Sequence, residues 1–309
     1  MRGAFFKTLV ELAERDDRIY LVVADIGFGV VEPFANKFPE RFLNVGVAEQ
    51  NLTSIAAGIA ISGKIVFTYS IANFPILRCL EQIRNDVCYH KANVKIVSVG
   101  GGYSYGPLGM THHATEDIAI LRALPEMAVV APGDPIEVRA ATRAIVEHQG
   151  PCYLRLGRAG EPTLHDPVID FRLGKAIQVR DGDAITIIST GALLQNAIRV
   201  ADKLAARGIQ ARVLSMHTIK PLDEDAILAA ARETRAIVTL EEHSIIGGLG
   251  GAVAECLAEA GSSVPFKRLG LPSAFSSNVG SQEYLRSQSN LSPDGILNAL
   301  EPLLAVHLV

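Results

Sequence analysis

In the segment NVGVAEQNLTSIAAGIAISGK (residues 44–64) an apolar strand-like run stops, a single carboxylate appears, and a helix of small residues follows. The acid is Glu49, and Ala56, Ala57, Gly58, Ala60, Ser62 and Gly63 let its helix approach a neighbour closely. A carboxylate so placed either favours the positive end of a helix dipole, worth about 0.3–1 kcal/mol, or is held for chemistry. The Gly-containing loop GPLGMTHHATED (106–117) carries His112 and His113. Adjacent side chains point in different directions on any regular element, so the pair is a poor metal site and one of them reads as an ordinary loop residue. CYLRLGR (152–158) ends on Arg155 and Arg158; taken alone, Arg158 reads as a member of a surface ion pair.

These residues need elements to hold them. Ile19–Asp25, FLNVG, Lys64–Ser70, Val94–Gly101, Met127–Asp134 and Pro151–Arg158 read as buried strands. Helical patterns such as FPILRCLEQIRNDVCYH and DPIEVRAATRAIVEHQG lie between them. Apolar strands separated by helices predict a parallel sheet covered on both faces. Turn residues then predominate, and a second strand–helix series begins near AITIISTG. The fold class is α/β in two domains, residues 1–160 and 184–309, joined by a linker over 161–183; the two halves do not repeat each other.

The chain has 309 residues, 49% of them hydrophobic, enough for two cores. A net charge of −4 with no basic block speaks against nucleic acid as a partner. Four scattered cysteines without metal-ligand spacing read as reduced thiols in the cytoplasm, with no metal site of their own. The amphipathic N-terminus is not a secretory signal, and no stretch reaches the ~20 apolar residues of a membrane span.

Four segments in order, FPERFLNVGVAEQN, GMTHHATED, ALPEMAVVAPGDP and TLEEHSIIGGLG, resemble the C-terminal half of transketolase over essentially the whole chain. The resemblance implies a pyrimidine-binding domain followed by a transketolase C-terminal domain, with thiamine diphosphate as cofactor. It implies that Glu49 holds the cofactor's aminopyrimidine and favours its imino tautomer by sharing a proton with a ring nitrogen. FTYSIANFPILRCLEQI resembles the family's aromatic segment, making Phe74 the first stacking candidate and Phe67 and Tyr69 the others. Asp25, ending the first strand, matches an acid near the cofactor. His112 matches the histidine of the family's Thr-His-Gln motif, a proton-transfer group; His113 falls where Gln is usual. Arg158 matches an arginine that holds a sugar phosphate, a task suited to a planar multi-donor cation.

The departures concern substrate. Leu108, Gly100 and Gly29 stand where the family has an aspartate, a histidine and a serine, and GGGYSYG offers Tyr103, Ser104 and Tyr105 instead. A remodelled pocket for a sugar or sugar phosphate follows, with Arg158, His113 and Tyr103 as its contacts. No Gly-Asp-Gly…Asn pattern is found, so the diphosphate and its Mg2+ or similar ion are expected on a second subunit, in a heterotetramer. Transfer of a two-carbon ketol unit is the leading reading. The alternatives are acyl or acyloin chemistry, as in deoxyxylulose-phosphate synthase or a 2-oxo-acid dehydrogenase beta subunit, and a non-catalytic binding subunit. In the C-terminal domain, Glu241, Glu242 and His243 read as interface or structural residues remote from the chemistry.

Overall fold

The structure is a computed structural model and describes residues 1–307. Six strands form the parallel body of the first sheet: β1 (Ile19–Val23), β2 (Phe42–Asn44), β3 (Ile65–Ile71), β4 (Val94–Val99), β5 (Ala128–Val130) and β6 (Cys152–Leu156). Their spatial order is β5-β6-β4-β3-β1-β2. β3, β4 and β6 are buried along their whole length, as parallel strands roofed on both faces must be. Alternation along β3 and β4 sends Phe67, Tyr69 and Val97 toward helix Arg2–Ala13. It sends Val66 and Ile96 to the other face, with Leu52, Ala56, Ala57 and Ala60 of helix Glu49–Ile61. The small residues of that helix lie against the sheet, as their size suggested.

Parallel strands deliver their following loops to one edge, where ligands of such sheets bind. Here that edge receives Asp25 after β1, Glu49 after β2, Phe74 after β3, Tyr103 to His113 after β4 and Arg158 after β6. Candidates far apart in sequence are gathered by topology.

A second sheet is built from β7 (Ile177–Arg180), β8 (Ile185–Ser189), β9 (Ala211–Ser215), β11 (Ile237–Ser244) and β12 (Phe266–Leu271), in the order β12-β11-β8-β9-β7. Between them, β10 (Thr218–Lys220) leaves this unit and pairs antiparallel with β5, adding a seventh strand to the first sheet. The segment read as a linker ends in β7, an edge strand antiparallel to β9. The helix expected from Phe74 is interrupted: turns Phe74–Leu77 and Leu80–Gln82 give way to a π-helical segment, Ile83–Cys88, with Cys79 at φ −111° outside helical geometry. Among the described residues no helix is long and apolar enough to cross a membrane.

Candidate active site

Asn44 builds the turn into the Glu49 helix. Its side-chain oxygen accepts the backbone N–H groups of Asp25 (2.9 Å) and Gly46 (3.0 Å), and its Nδ2 donates to Asp25 Oδ1 at 3.0 Å. Gly46 sits at φ +73°, a conformation that favours glycine. The helix opens at Glu49, whose side chain is 4% exposed. Its carboxylate accepts a hydrogen bond from Arg78 Nη1 at 2.6 Å. Arg78 is half exposed and its guanidinium also lies 5.3 Å from the centroid of Phe74.

The ring of Phe74 meets His112 edge-on at 5.2 Å. Thr111 Oγ1 lies 3.0 Å from His112 Nδ1, which fixes that ring and leaves Nε2 for other partners. His113 turns the other way. It is buried against Tyr103, with ring centroids 5.0 Å apart, and its Nε2 lies 3.3 Å from the Gly106 carbonyl. Its Nδ1 is buried with no protein partner among the described residues. Burial pushes the His113 imidazole below its ordinary pKa, against the opposing pull of the Gly106 carbonyl, and so favours the neutral ring. Asn73 Nδ2 ties the backbone together by donating to the carbonyls of Thr111 and His113.

Phe74, Arg78, Tyr103 and His113 line one cleft of about 590 Å³, within the usual range for small-molecule sites. Leu77, Met110 and Phe275 add apolar wall. Ala274, Phe275 and Ser276 come from the second unit, which is therefore not remote from the site.

Other candidates stand apart. Phe67 and Tyr69 are core residues: both are fully buried, and their rings pack against Phe5 and, for Tyr69, Phe6. The residue spacing that puts them on one face of β3 puts them under helix Arg2–Ala13, so neither offers a stacking surface. Asp25 is exposed at the end of β1, at φ +52°, held by Asn44. Arg158 is exposed outside the cleft, with its guanidinium 5.3 Å from the Tyr105 ring. The Tyr105 ring occupies the space that a side chain at Gly100 would need. Burial raises the Tyr105 phenol's pKa, while the nearby charges of Arg2 and Arg158 oppose that shift. Arg155 is no ligand: it is buried and clasps Asp117 at 2.7 Å and the carbonyls of Ala114 (2.7 Å) and Glu242 (3.1 Å).

The sequence alone did not single out Arg78, which lines the cleft and holds Glu49. Arg78 follows Phe74 by four residues, the spacing of side-chain neighbours on a helix, and that was the available signal.

The chain matches two family models, "Transketolase, pyrimidine binding domain" over 1–161 and "Transketolase, C-terminal domain" over 174–296. The chain belongs to the transketolase family. It is 40% identical over 300 residues to the 6-deoxy-6-sulfo-D-fructose transketolase subunit of Clostridium sp. strain MSTE9, covering 97% of this chain and 92% of that one. It is 44% identical over 273 residues to an apulose-4-phosphate transketolase subunit of Phocaeicola vulgatus, covering 88% and 87%. A solved split-gene transketolase, described as an inactive beta4 tetramer, superposes with a TM-score of 0.92 at 39% identity over 99% of this chain and 98% of that one. The chain thus carries the pyrimidine-binding and C-terminal domains of a family of thiamine diphosphate-dependent transferases, and the relatives named here are subunits of split transketolases. Both α/β sheets are those of the family fold.

Proposed function

We propose that this chain supplies the pyrimidine-binding half of a split transketolase that moves a two-carbon ketol unit from a ketose to an aldose. The observation that carries the reading is the buried Glu49 carboxylate, bonded to Arg78 at 2.6 Å beside the cleft that Phe74 and His113 line. A buried acceptor and an aromatic wall suit a flat, nitrogen-rich heterocycle. When bound, thiamine diphosphate supplies the carbanion equivalent that carries the two-carbon unit.

In this reading Glu49 holds the aminopyrimidine by a shared proton, and Phe74 packs against its face. His112, fixed at Nδ1 by Thr111, moves protons to and from substrate oxygens through Nε2. Neutral His113 and the Tyr103 ring bound the substrate space. Asp25 lies at the cofactor's rim. Arg158, against the Tyr105 ring, receives an anionic end of the sugar. The two named relatives take a sulfonated and a phosphorylated sugar, which supports an anionic substrate here.

The second subunit contributes the diphosphate site and its Mg2+ or similar ion, and two chains of each type form the working heterotetramer. Four free, buried cysteines support a reducing, cytoplasmic setting. The experiment is to assay ketol transfer by this chain alone, by its partner alone and by the two mixed, each with thiamine diphosphate and Mg2+, against phosphorylated and neutral ketoses. Activity confined to the mixture, and lost on chelation, is expected. Turnover by this chain alone would overturn the reading.

A further inference from the structure

Glu242 lies on β11 in the second unit, yet its carboxylate is buried against the loop that follows β4 in the first. Oε1 accepts the backbone N–H of Tyr103 at 2.8 Å. Gln282 Nε2 donates to Oε1 at 3.0 Å and to Oε2 at 2.9 Å, and it also donates to the Ser104 hydroxyl at 3.2 Å. Arg286, itself buried, donates to Oε2 through Nε at 3.0 Å and again through Nη2. One carboxylate thus joins helix Gln282–Gln288 to residues 102–104.

The loop has no room to shift over this contact. Gly102 is at φ +62°, and a Cβ there would come within 2.6 Å of the Glu242 side chain. Gly102 exchanges backbone hydrogen bonds with Ala114 (2.8 and 3.1 Å), the residue after His113. The Tyr103 ring packs on His113 and lines the cleft. On the far side, Arg155 ties the Glu242 carbonyl to Asp117 and Ala114. Glu242 therefore bears on both ends of the stretch that holds His112 and His113, its carboxylate through the Tyr103 N–H and its carbonyl through Arg155.

We infer that Glu242 is a positioning residue: through the Tyr103 N–H it sets the geometry of the His112–His113 loop, so that the C-terminal domain tunes the active site it borders. The inference rests on the proposed ketol transfer and extends it to a domain with no reacting group.

The test uses the assembled two-chain enzyme and three variants. Glu242→Ala removes the acceptor but strands buried Arg286, which costs stability as well. Glu242→Met combined with Arg286→Met removes both charges, and such replacements of buried pairs are often neutral in stability; what is lost is the acceptor for the Tyr103 N–H and for Gln282 Nε2, which keeps the Ser104 hydroxyl. Glu242→Gln keeps an amide oxygen for the Tyr103 N–H. For the double variant, a rise of about tenfold in sugar KM or a comparable fall in kcat is expected, with cofactor affinity and unfolding midpoint near wild type. Glu242→Gln should recover most of that loss. Wild-type kinetics in the double variant, or losses that follow the unfolding midpoint across all three, would overturn the inference. An inactive wild-type complex would instead reject the ketol-transfer reading, so the two failures are distinguishable.

Discussion

Replacing Glu49 by Gln separates its chemical role from its structural one. The amide is nearly isosteric, and its oxygen still accepts from Arg78. The ion pair that is lost has a half-exposed cation, so solvent screens it and its contribution is about 0.2–1 kcal/mol. For a chain of this size that lowers the unfolding midpoint by only about 2–4 °C per kcal/mol. The chemical cost is of another order. An amide cannot share a proton with a ring nitrogen, and loss of a positioned proton-transfer group typically slows turnover by about 10²–10⁴-fold, or roughly 3–5 kcal/mol in the barrier. Initial rates of the assembled enzyme at saturating cofactor, read beside its melting curve, compare the two quantities directly. A fall in kcat of at least 10²-fold with a near-native midpoint is expected. Turnover within about threefold of wild type at full cofactor occupancy would refute the assignment of Glu49 as the proton-sharing group.

The two classes of aromatic residue should part in the same way. Phe67→Leu should cost about 1–2 kcal/mol in chemical denaturation through core packing and leave cofactor affinity unchanged, whereas Phe74→Leu should weaken cofactor binding in calorimetry with little loss of stability. Arg158→Lys should raise KM about tenfold for an anionic sugar and leave a neutral analogue unaffected, because the planar fork is lost while the charge remains. Asp134 offers a pH test. Burial opposes its ionisation, yet the His165 ring 3.3 Å away and hydrogen bonds from the N–H groups of Glu137, Leu164 and His165 outweigh it and hold its pKa at about 2. Its stabilisation is therefore present above the unfolded value near 4 and lost as pH falls toward 2. It amounts to about 2 kcal/mol. Asp134→Asn, which preserves the helix cap, should flatten the acid limb of a plot of unfolding midpoint against pH.

How far the site could be read from the chain depended on the range over which each contact was encoded. The place of Glu49 at a buried helix start was legible because a carboxylate, a strand end and a helix of small residues are contiguous, and sheet topology alone then gathers Asp25, Phe74, His112 and Arg158 at one edge. The choice among Phe67, Tyr69 and Phe74 was not legible. Period-two alternation says that Phe67 and Tyr69 share a face, but which face helix Arg2–Ala13 covers is a tertiary fact. Gly100 looked like a missing side chain until the Tyr105 ring proved to fill its place from five residues on.

The expected remoteness of the second unit fails for the same reason. β10 joins a sheet whose other strands end more than 60 residues earlier, and Glu242 meets Tyr103 across 139 residues. No local pattern marks either, since β-strand propensity does not name a partner and a buried acid looks like any other acid in sequence. What could have been weighed is desolvation. An EEH run on a strand apolar enough to be central, as IVTLEEHS is, places charges where water cannot reach them, and such charges must find donors. Glu241 finds the N–H groups of Leu249 and Gly250 at 2.7 and 2.8 Å. Glu242, one residue on and facing the other way, takes donors from Gln282 and Arg286 of its own domain and one more, the Tyr103 N–H, from the loop after β4. The alternation that buries both acids therefore sends one wholly into its own domain and the other to the boundary with its neighbour.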